Sequence, residues 1–352
     1  MKHLKQRGLT LIELLVALSI GAFLIIGAVT VQSQTRKTFT VNENQARLQE
    51  TARFALSVLE SDIQLAGLYG YSNNPNGIKM QTADGLKDSS VMRWDSDESA
   101  TGGGVYDDCG KNQVFNMYWP IQAEDGDWKL GCDPDPSGQI PGTDTLTVRR
   151  SGTEKVAPEK GRLQLFTDRL FPENQRFFDD GAIPAPYKEI ANRSEVRDYF
   201  MRTYYVAQDS EGRPNLPAMR VKQISAAGGA AEWDDQEVVR GVEDIQIELG
   251  VDPGAPGADG TVEMQNGIAS NVNGDVARYV TPGDDILKTG QVVAVRIWVR
   301  VRAEEAEQGF ADQRVYKYAS VDDFQPGDGF RRVVMSRTIF LRNSRSYPPS
   351  GT

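Results

Sequence analysis

An apolar run of roughly 23 residues, Leu9 to Val31, follows a short basic start and carries a single charge, Glu13. Nothing else in the chain constrains its fold as tightly. A helix of that length rises about 34 Å, enough to cross the hydrocarbon core of a bilayer. Lys2, Lys5 and Arg7 stand on its N-terminal side. They predict that this end stays cytoplasmic and that the remainder is exported. A secretory signal peptide shares the outline, but its apolar core is shorter and ends in a small-x-small cleavage site. Here Val31 runs on into polar, helix-permissive sequence instead.

That sequence, Gln32 to about Ala66, reads as a continuation of the same helix. Leu48, Ala52, Ala55, Leu59, Ile63 and Ala66 recur at spacings of four, three, four, four and three, which is one apolar stripe at helical period. Phe54 and Val58 are expected to widen it. Glu43, Arg47, Glu50, Arg53, Glu60 and Asp62 are expected to fill the exposed surface. No proline occurs before Pro75, and Gly67, Gly70 and the Asn73–Gly77 cluster end the helix. The second half of the helix therefore needs a sheet to cover its stripe.

From Tyr71 the pattern changes to loops and strands. Leu146–Val148 and Tyr204–Val206 are short strand candidates, and Ile245, Ile247 and Leu249 alternate with polar residues. The clearest strand puts Val293, Val295, Ile297, Val299 and Val301 on one face and Arg296, Trp298 and Arg300 on the other. Val333 to Leu341 makes a further strand. Gly- and Pro-rich stretches at 72–145, 171–190 and 251–290 separate these segments, which suggests one sheet with large excursions.

Composition excludes several functions. The formal charge is −10, and an acidic surface repels phosphate backbones, so nucleic acid is not an expected partner. Some arginines cluster near the C-terminus (Arg296, Arg300, Arg302, Arg331, Arg332, Arg337 and Arg342), but in strand-like segments they read as solvated faces or ion-pair partners. The one histidine, His3, lies in the basic start. Without that start the chain has no imidazole for Ser-His-Asp or Cys-His catalysis or for zinc. No catalytic residue, metal ligand or cofactor is assigned, and the chain is not expected to be an enzyme. Asp133 to Asp144 loosely echoes a calcium loop, but prolines at its second and fourth positions favour a solvated turn. The five tryptophans, Trp94, Trp119, Trp128, Trp233 and Trp298, read as core or half-buried residues rather than a ligand site. Cys109 and Cys132 lie in a loop-like region rich in Gly, Asp and Pro. In an oxidising compartment a disulfide there closes a loop of roughly 24 residues and contributes about 3 kcal/mol in the chain-entropy account.

Glu13 makes the apolar helix more than an anchor. A carboxylate five residues into a membrane helix is costly unless neutralised or paired. If the chain is cut after Gly8, Leu9 gains a free, positively charged amine. That amine on an incoming subunit can pair with Glu13 of a subunit already in a filament, and only at one axial offset.

In its basic leader, Gly8, Leu9, Thr10-Leu11-Ile12-Glu13 and uninterrupted apolar helix, the chain resembles the type IV pilin and pseudopilin family. Leu9 stands where Phe is more usual. The segments 49–55, 59–63, 66–67, 241–246, 292–302 and 340–343 further resemble the PilW group of minor pilins. The resemblance implies that a prepilin peptidase cuts after Gly8 and N-methylates Leu9, and that Glu13 guides assembly. It also implies an inner-membrane, single-pass subunit with a cytoplasmic N-terminus and a periplasmic head, which enters the tip or initiation complex of a type IV pilus. The implied partners are other minor pilins, the major pilin, the prepilin peptidase and the inner-membrane assembly platform. A minor pseudopilin of a type II secretion system carries the same N-terminal signal and is the alternative. A periplasmic enzyme or binding protein held by an uncleaved helix is a rival of another class.

The expected architecture is α+β: a long N-terminal α-helix, membrane-spanning in its first half and amphipathic in its second, packed on a mainly antiparallel β-sheet head with long loops. The expected divisions are leader 1–8, filament-core helix 9–31, amphipathic helix 32–67 and head 68–352.

Overall fold

A computed structural model describes residues 10–343 except 72–74, 76–77, 83–84, 88–103, 111–112, 172–173, 258–259, 266–267 and 270. One helix, α1 (Leu11–Leu65), is followed by a mostly antiparallel β head. By internal packing the chain divides into two compact units, Met1–Leu48 and Gln49–Thr352.

From Leu11 onward the first unit is helix. Between Leu11, at 82%, and Val31, at 62%, its large apolar side chains are exposed. The segment is long and apolar enough to cross a membrane. Two hydroxyls of the apolar run are turned onto the backbone: Ser19 Oγ donates to Leu15 C=O and Thr30 Oγ1 to Ile26 C=O, each at 2.8 Å. Such i−4 bonds satisfy polar groups that would otherwise face hydrocarbon.

In the second unit, Ala52, Ala55, Leu59 and Ile63 are buried as the stripe requires, and Leu56 joins them. Phe54 does not; it is 54% exposed. Asp62 departs from expectation in the opposite sense and is buried. The helical period accounts for this. Asp62 follows Leu59 by three residues and precedes Ala66 by four, so it lies on the stripe itself. The helix ends at Leu65, where Gly67 and Gly70 adopt φ of 76° and 72°. At Gly70 a Cβ would stand 2.4 Å from Thr167 Cγ2, so the turn demands glycine twice over.

Two large sheets build the head, where sequence reasoning expected one. The larger contains β1 (Lys79–Thr82), β2 (Gly85–Lys87), β3 (Ile121–Glu124), β4 (Thr145–Ser151), β5 (Lys160–Asp168), β6 (Arg176–Asp180), β7 (Ser194–Ala207), β8 (Ala218–Ala227) and β9 (Ala230–Arg240). Among the described residues only the β1–β6 pair is parallel. The 14-residue β7 organises it, pairing with β4, β5 and β8. The smaller sheet runs β13 (Arg278–Val280), β10 (Val242–Asp252), β14 (Gln291–Arg302), β17 (Arg332–Phe340). Two minor hairpins, β11 (Met264–Gln265) with β12 (Ile268–Ala269) and β15 (Tyr316–Tyr318) with β16 (Val321–Phe324), lie between these strands in sequence. The single-sheet expectation fails because β5, β8 and β9 carry mixed polar sequences without clean alternation. Gln164 and Asp168 of β5 and Arg220 of β8 are buried and bonded inside the head, whereas the polar side chains of β9 are exposed or half-buried.

The strands that alternate in sequence behave as expected. Val293, Val295, Ile297, Val299 and Val301 are all buried, opposite Ile245, Ile247 and Leu249 of β10. A second core, with Tyr69, Phe115, Met117, Leu165, Phe177 and Tyr199 among its members, lies in the larger-sheet region. Edge-on aromatic pairs run through it, Phe177 with Phe115 at 5.2 Å and with Tyr199 at 4.8 Å.

Candidate functional site

Gly8 and Leu9 lie outside the described residues. Glu13 lies within them and has a local role that sequence reasoning did not assign. Thr10 N–H and Thr10 Oγ1 donate to Glu13 Oε2 at 2.9 and 2.8 Å, and Glu13 N–H donates to Thr10 Oγ1 at 3.4 Å. This reciprocal pattern is a capping box, in which a threonine and a glutamate three residues on satisfy the orphan donors of a helix start. The signal was legible, since Thr-x-x-Glu before an apolar run is its sequence signature. Both bonds to Thr10 end on Oε2. Among the described residues Oε1 accepts no hydrogen bond, so the capped carboxylate keeps one oxygen free.

A second carboxylate fixes the inner part of α1 to the head. Asp62 Oδ1 accepts from Arg150 Nη2 at 2.6 Å and from Arg150 Nε at 2.9 Å. Its Oδ2 accepts from Arg202 Nη1 at 3.1 Å and from Tyr204 Oη at 2.6 Å. Burial by itself raises this carboxyl. The Arg202 and Arg150 guanidiniums, with the Tyr204 hydroxyl, outweigh it and hold Asp62 below the usual carboxylate range. Both guanidiniums also stack on the Phe200 ring, at 5.0 and 4.6 Å. Arg150 belongs to β4 and Arg202 to β7, so this cluster joins the helix to the larger sheet. Two residues earlier, Glu60 pairs with Arg337 of β17 in the smaller sheet. One turn of α1 thus engages both sheets.

The sheets are also joined directly. Asp144, at the foot of β4, accepts from Ile247 N–H at 2.8 Å and Gly126 N–H at 3.2 Å, while its own N–H donates to Ile245 C=O. Burial pushes its carboxyl up to about 7, against the two amide bonds and with help from nearby Asp125 and Asp244. Asp135 and Asp144 of the 133–144 loop are thus engaged in the protein's own bonds; Asp135 caps Ser137 and pairs with Arg220. Among the described residues, no three His, Cys, Asp or Glu side chains converge as a metal would require.

The C-terminal arginines are ion-pair partners more than solvated faces. Arg332 is buried between Glu243, at 2.7 Å, and Asp328, at 2.6 Å. Arg300 also reaches Glu243, at 3.0 Å, and Arg296 pairs with Glu248 at 3.1 Å. The buried Arg149 differs: it meets carbonyls instead of a carboxylate, donating to Gln113 C=O and Trp119 C=O at 2.7 Å each. It thereby pins the 113–119 loop. Nearby, Cys109 and Cys132 form the expected disulfide. Trp128 Nε1–H donates to Cys132 C=O at 2.6 Å, and its ring packs edge-on against Tyr205 at 4.9 Å. Trp119, Trp128, Trp233 and Trp298 are half-buried, and Trp94 lies outside the described residues.

Two features stand out, an exposed apolar helix with a capped carboxylate and a large β head clipped to its inner end. Comparison with known families meets both. Two family models match this chain. Residues 3–29 match the prokaryotic N-terminal methylation motif, and residues 203–343 match type IV pilus-assembly protein W, PilW. The resemblance to type IV pilus proteins read from the sequence is borne out over these regions. The PilW match runs from within β7 through β17, taking in the whole smaller sheet, and residues 30–202 are covered by neither match. No curated protein and no solved structure matches the chain. The methylation motif and the apolar helix fit an inner-membrane pilin.

Proposed function

We propose that this chain is a minor pilin that takes part in initiation or tip assembly of a type IV pilus. It enters the inner membrane with its N-terminus cytoplasmic and its head periplasmic, is cut after Gly8, and is N-methylated on Leu9. The observation that carries the reading is the combination of a methylation motif, an apolar helix whose side chains are exposed, and one carboxylate near its start. A membrane alone needs no such carboxylate, whereas a filament core does: Glu13 Oε1 can take the Leu9 amine of a neighbouring subunit while Oε2 keeps its cap. The PilW match over the smaller sheet supports membership of the minor set. A bulky head packs poorly along a shaft, which favours a low-copy position at the tip. Other minor pilins, the major pilin, the prepilin peptidase and the inner-membrane platform are the partners, and the role is structural, not catalytic.

The test is complementation of a deletion strain. Wild-type chain restores surface pili and Glu13→Ala does not, while Gly8→Ala leaves an unprocessed band. A deletion strain that keeps normal pili but loses enzyme secretion would place the chain in a type II secretion system instead.

A further inference from the structure

The smaller sheet ends at β17, and among the described residues nothing pairs with its outer edge. Leu341 N–H donates to Val293 C=O at 3.0 Å and Ala303 N–H donates to Arg331 C=O at 2.8 Å. With the observed register, odd-numbered residues of β17 therefore make the ladder bonds to β14. The even-numbered Val334, Ser336, Thr338 and Phe340 turn their N–H and C=O groups outward, and among the described residues these groups meet no partner. Ser336 and Thr338 are exposed, and Phe340 is 60% exposed.

Soluble proteins usually blunt such an edge with proline, a bulge or a very short strand. β17 has nine residues, no proline and an unbroken register with β14. Charge points to what could lie against it. From Gly329 to Asn343 there are four arginines and no carboxylate, in a chain of net charge −10. Arg331, Arg332 and Arg337 are matched by Glu307, Glu243 and Glu60. Arg342, just beyond Phe340, is exposed and has no ion pair among the described residues.

We infer that the outer edge of β17 takes up an extended, acidic segment of a different protein as a fifth strand of the smaller sheet. Main-chain bonds to Ser336 and Thr338 hold the segment, an apolar side chain covers Phe340, and an Asp or Glu meets Arg342. The inference rests on the proposed function only in taking that protein to be another subunit of the pilus assembly.

A photo-reactive phenylalanine analogue placed at Ser336 in the full-length chain, in cells, tests it. The expected result is an adduct whose cross-linked peptide is an extended segment bearing Asp or Glu. Thr338→Pro removes one outward N–H and no ladder bond to β14, so it should cut the adduct roughly tenfold while Thr338→Ala leaves it unchanged. Arg342→Glu, which touches no ladder bond, keeps the test open if the proline variant fails to fold, and should lower the yield several-fold. An absent adduct, one insensitive to both Thr338→Pro and Arg342→Glu, one with a second copy of this chain, or one in a helical or basic segment overturns the inference. Piliation of the Glu13→Ala strain separates the two readings. Pili lost there with no adduct at Ser336 refute strand addition alone. Pili kept there refute the filament role, and the adduct still decides strand addition.

Discussion

Asp62 on α1 and Arg202 on β7 lie 140 residues apart in sequence and meet at 3.1 Å inside the head. With Arg150 and Tyr204 they form the main polar joint between the helix and the larger sheet. Removing the carboxylate leaves two guanidiniums facing a void without a counter-charge. Asp62→Ala should therefore destabilise the head by about 2–4 kcal/mol, somewhat below the usual cost of breaking a buried pair because Arg202 is partly exposed. Urea unfolding of the detergent-solubilised protein measures this. A change below about 0.5 kcal/mol would show that apolar packing alone seats the helix.

Asp62 and Asp144 should impose opposite pH dependences. The folded-state carboxyl of Asp62 is held below its unfolded range, so its contribution is present above about pH 4 and is lost as pH falls through the folded value. Asp144 is pushed up to about 7, so between about pH 4 and 7 the folded form holds a proton that the unfolded form has released. Its contribution is complete below that window and declines as pH rises through it. Urea midpoints from pH 4 to 8 should show this decline, and Asp144→Asn should flatten it. An unchanged slope in that variant would assign the decline to other groups.

The capping box allows the two duties of Glu13 to be separated. Glutamine can still close a capping box with Thr10 but carries no charge. Glu13→Gln should preserve the helix start and leader processing, yet impair pilus assembly nearly as much as Glu13→Ala. Surface pili at wild-type number in the glutamine variant would make Glu13 a helix cap and nothing more.

Loss of the disulfide should destabilise the head without unfolding it. Cys109 and Cys132 are separated by 23 residues, and opening a loop of that size costs about 3 kcal/mol in the chain-entropy account. The double variant Cys109→Ser with Cys132→Ser should melt well below the oxidised wild type and match the wild type under reductant. Equal melting of oxidised wild type and variant would mean that Arg149 and the packing of Trp128 hold these loops unaided.

What the sequence determined by itself was everything set by local period and order. The length of the Leu9–Val31 run, the place of Glu13 within it, the buried stripe of α1 and the alternation of β14 were all legible, because each depends on spacing along one element. Even the burial of Asp62 was written in that spacing, though a charge on a stripe reads as surface until its counter-ions are known. Tertiary structure alone decided the rest. Arg150 and Arg202 come from strands 88 and 140 residues away from Asp62, and no local pattern announces which distant guanidinium will compensate a buried carboxylate. The division of the head into two sheets was hidden for the same reason: β5 and β8 bury Gln164, Asp168 and Arg220 against partners elsewhere in the head, which erases the alternation that solvent would impose. The free edge of β17 is likewise a fact of topology. Its residues read as an ordinary strand, and only the strand order shows that one side of it is unpaired among the described residues.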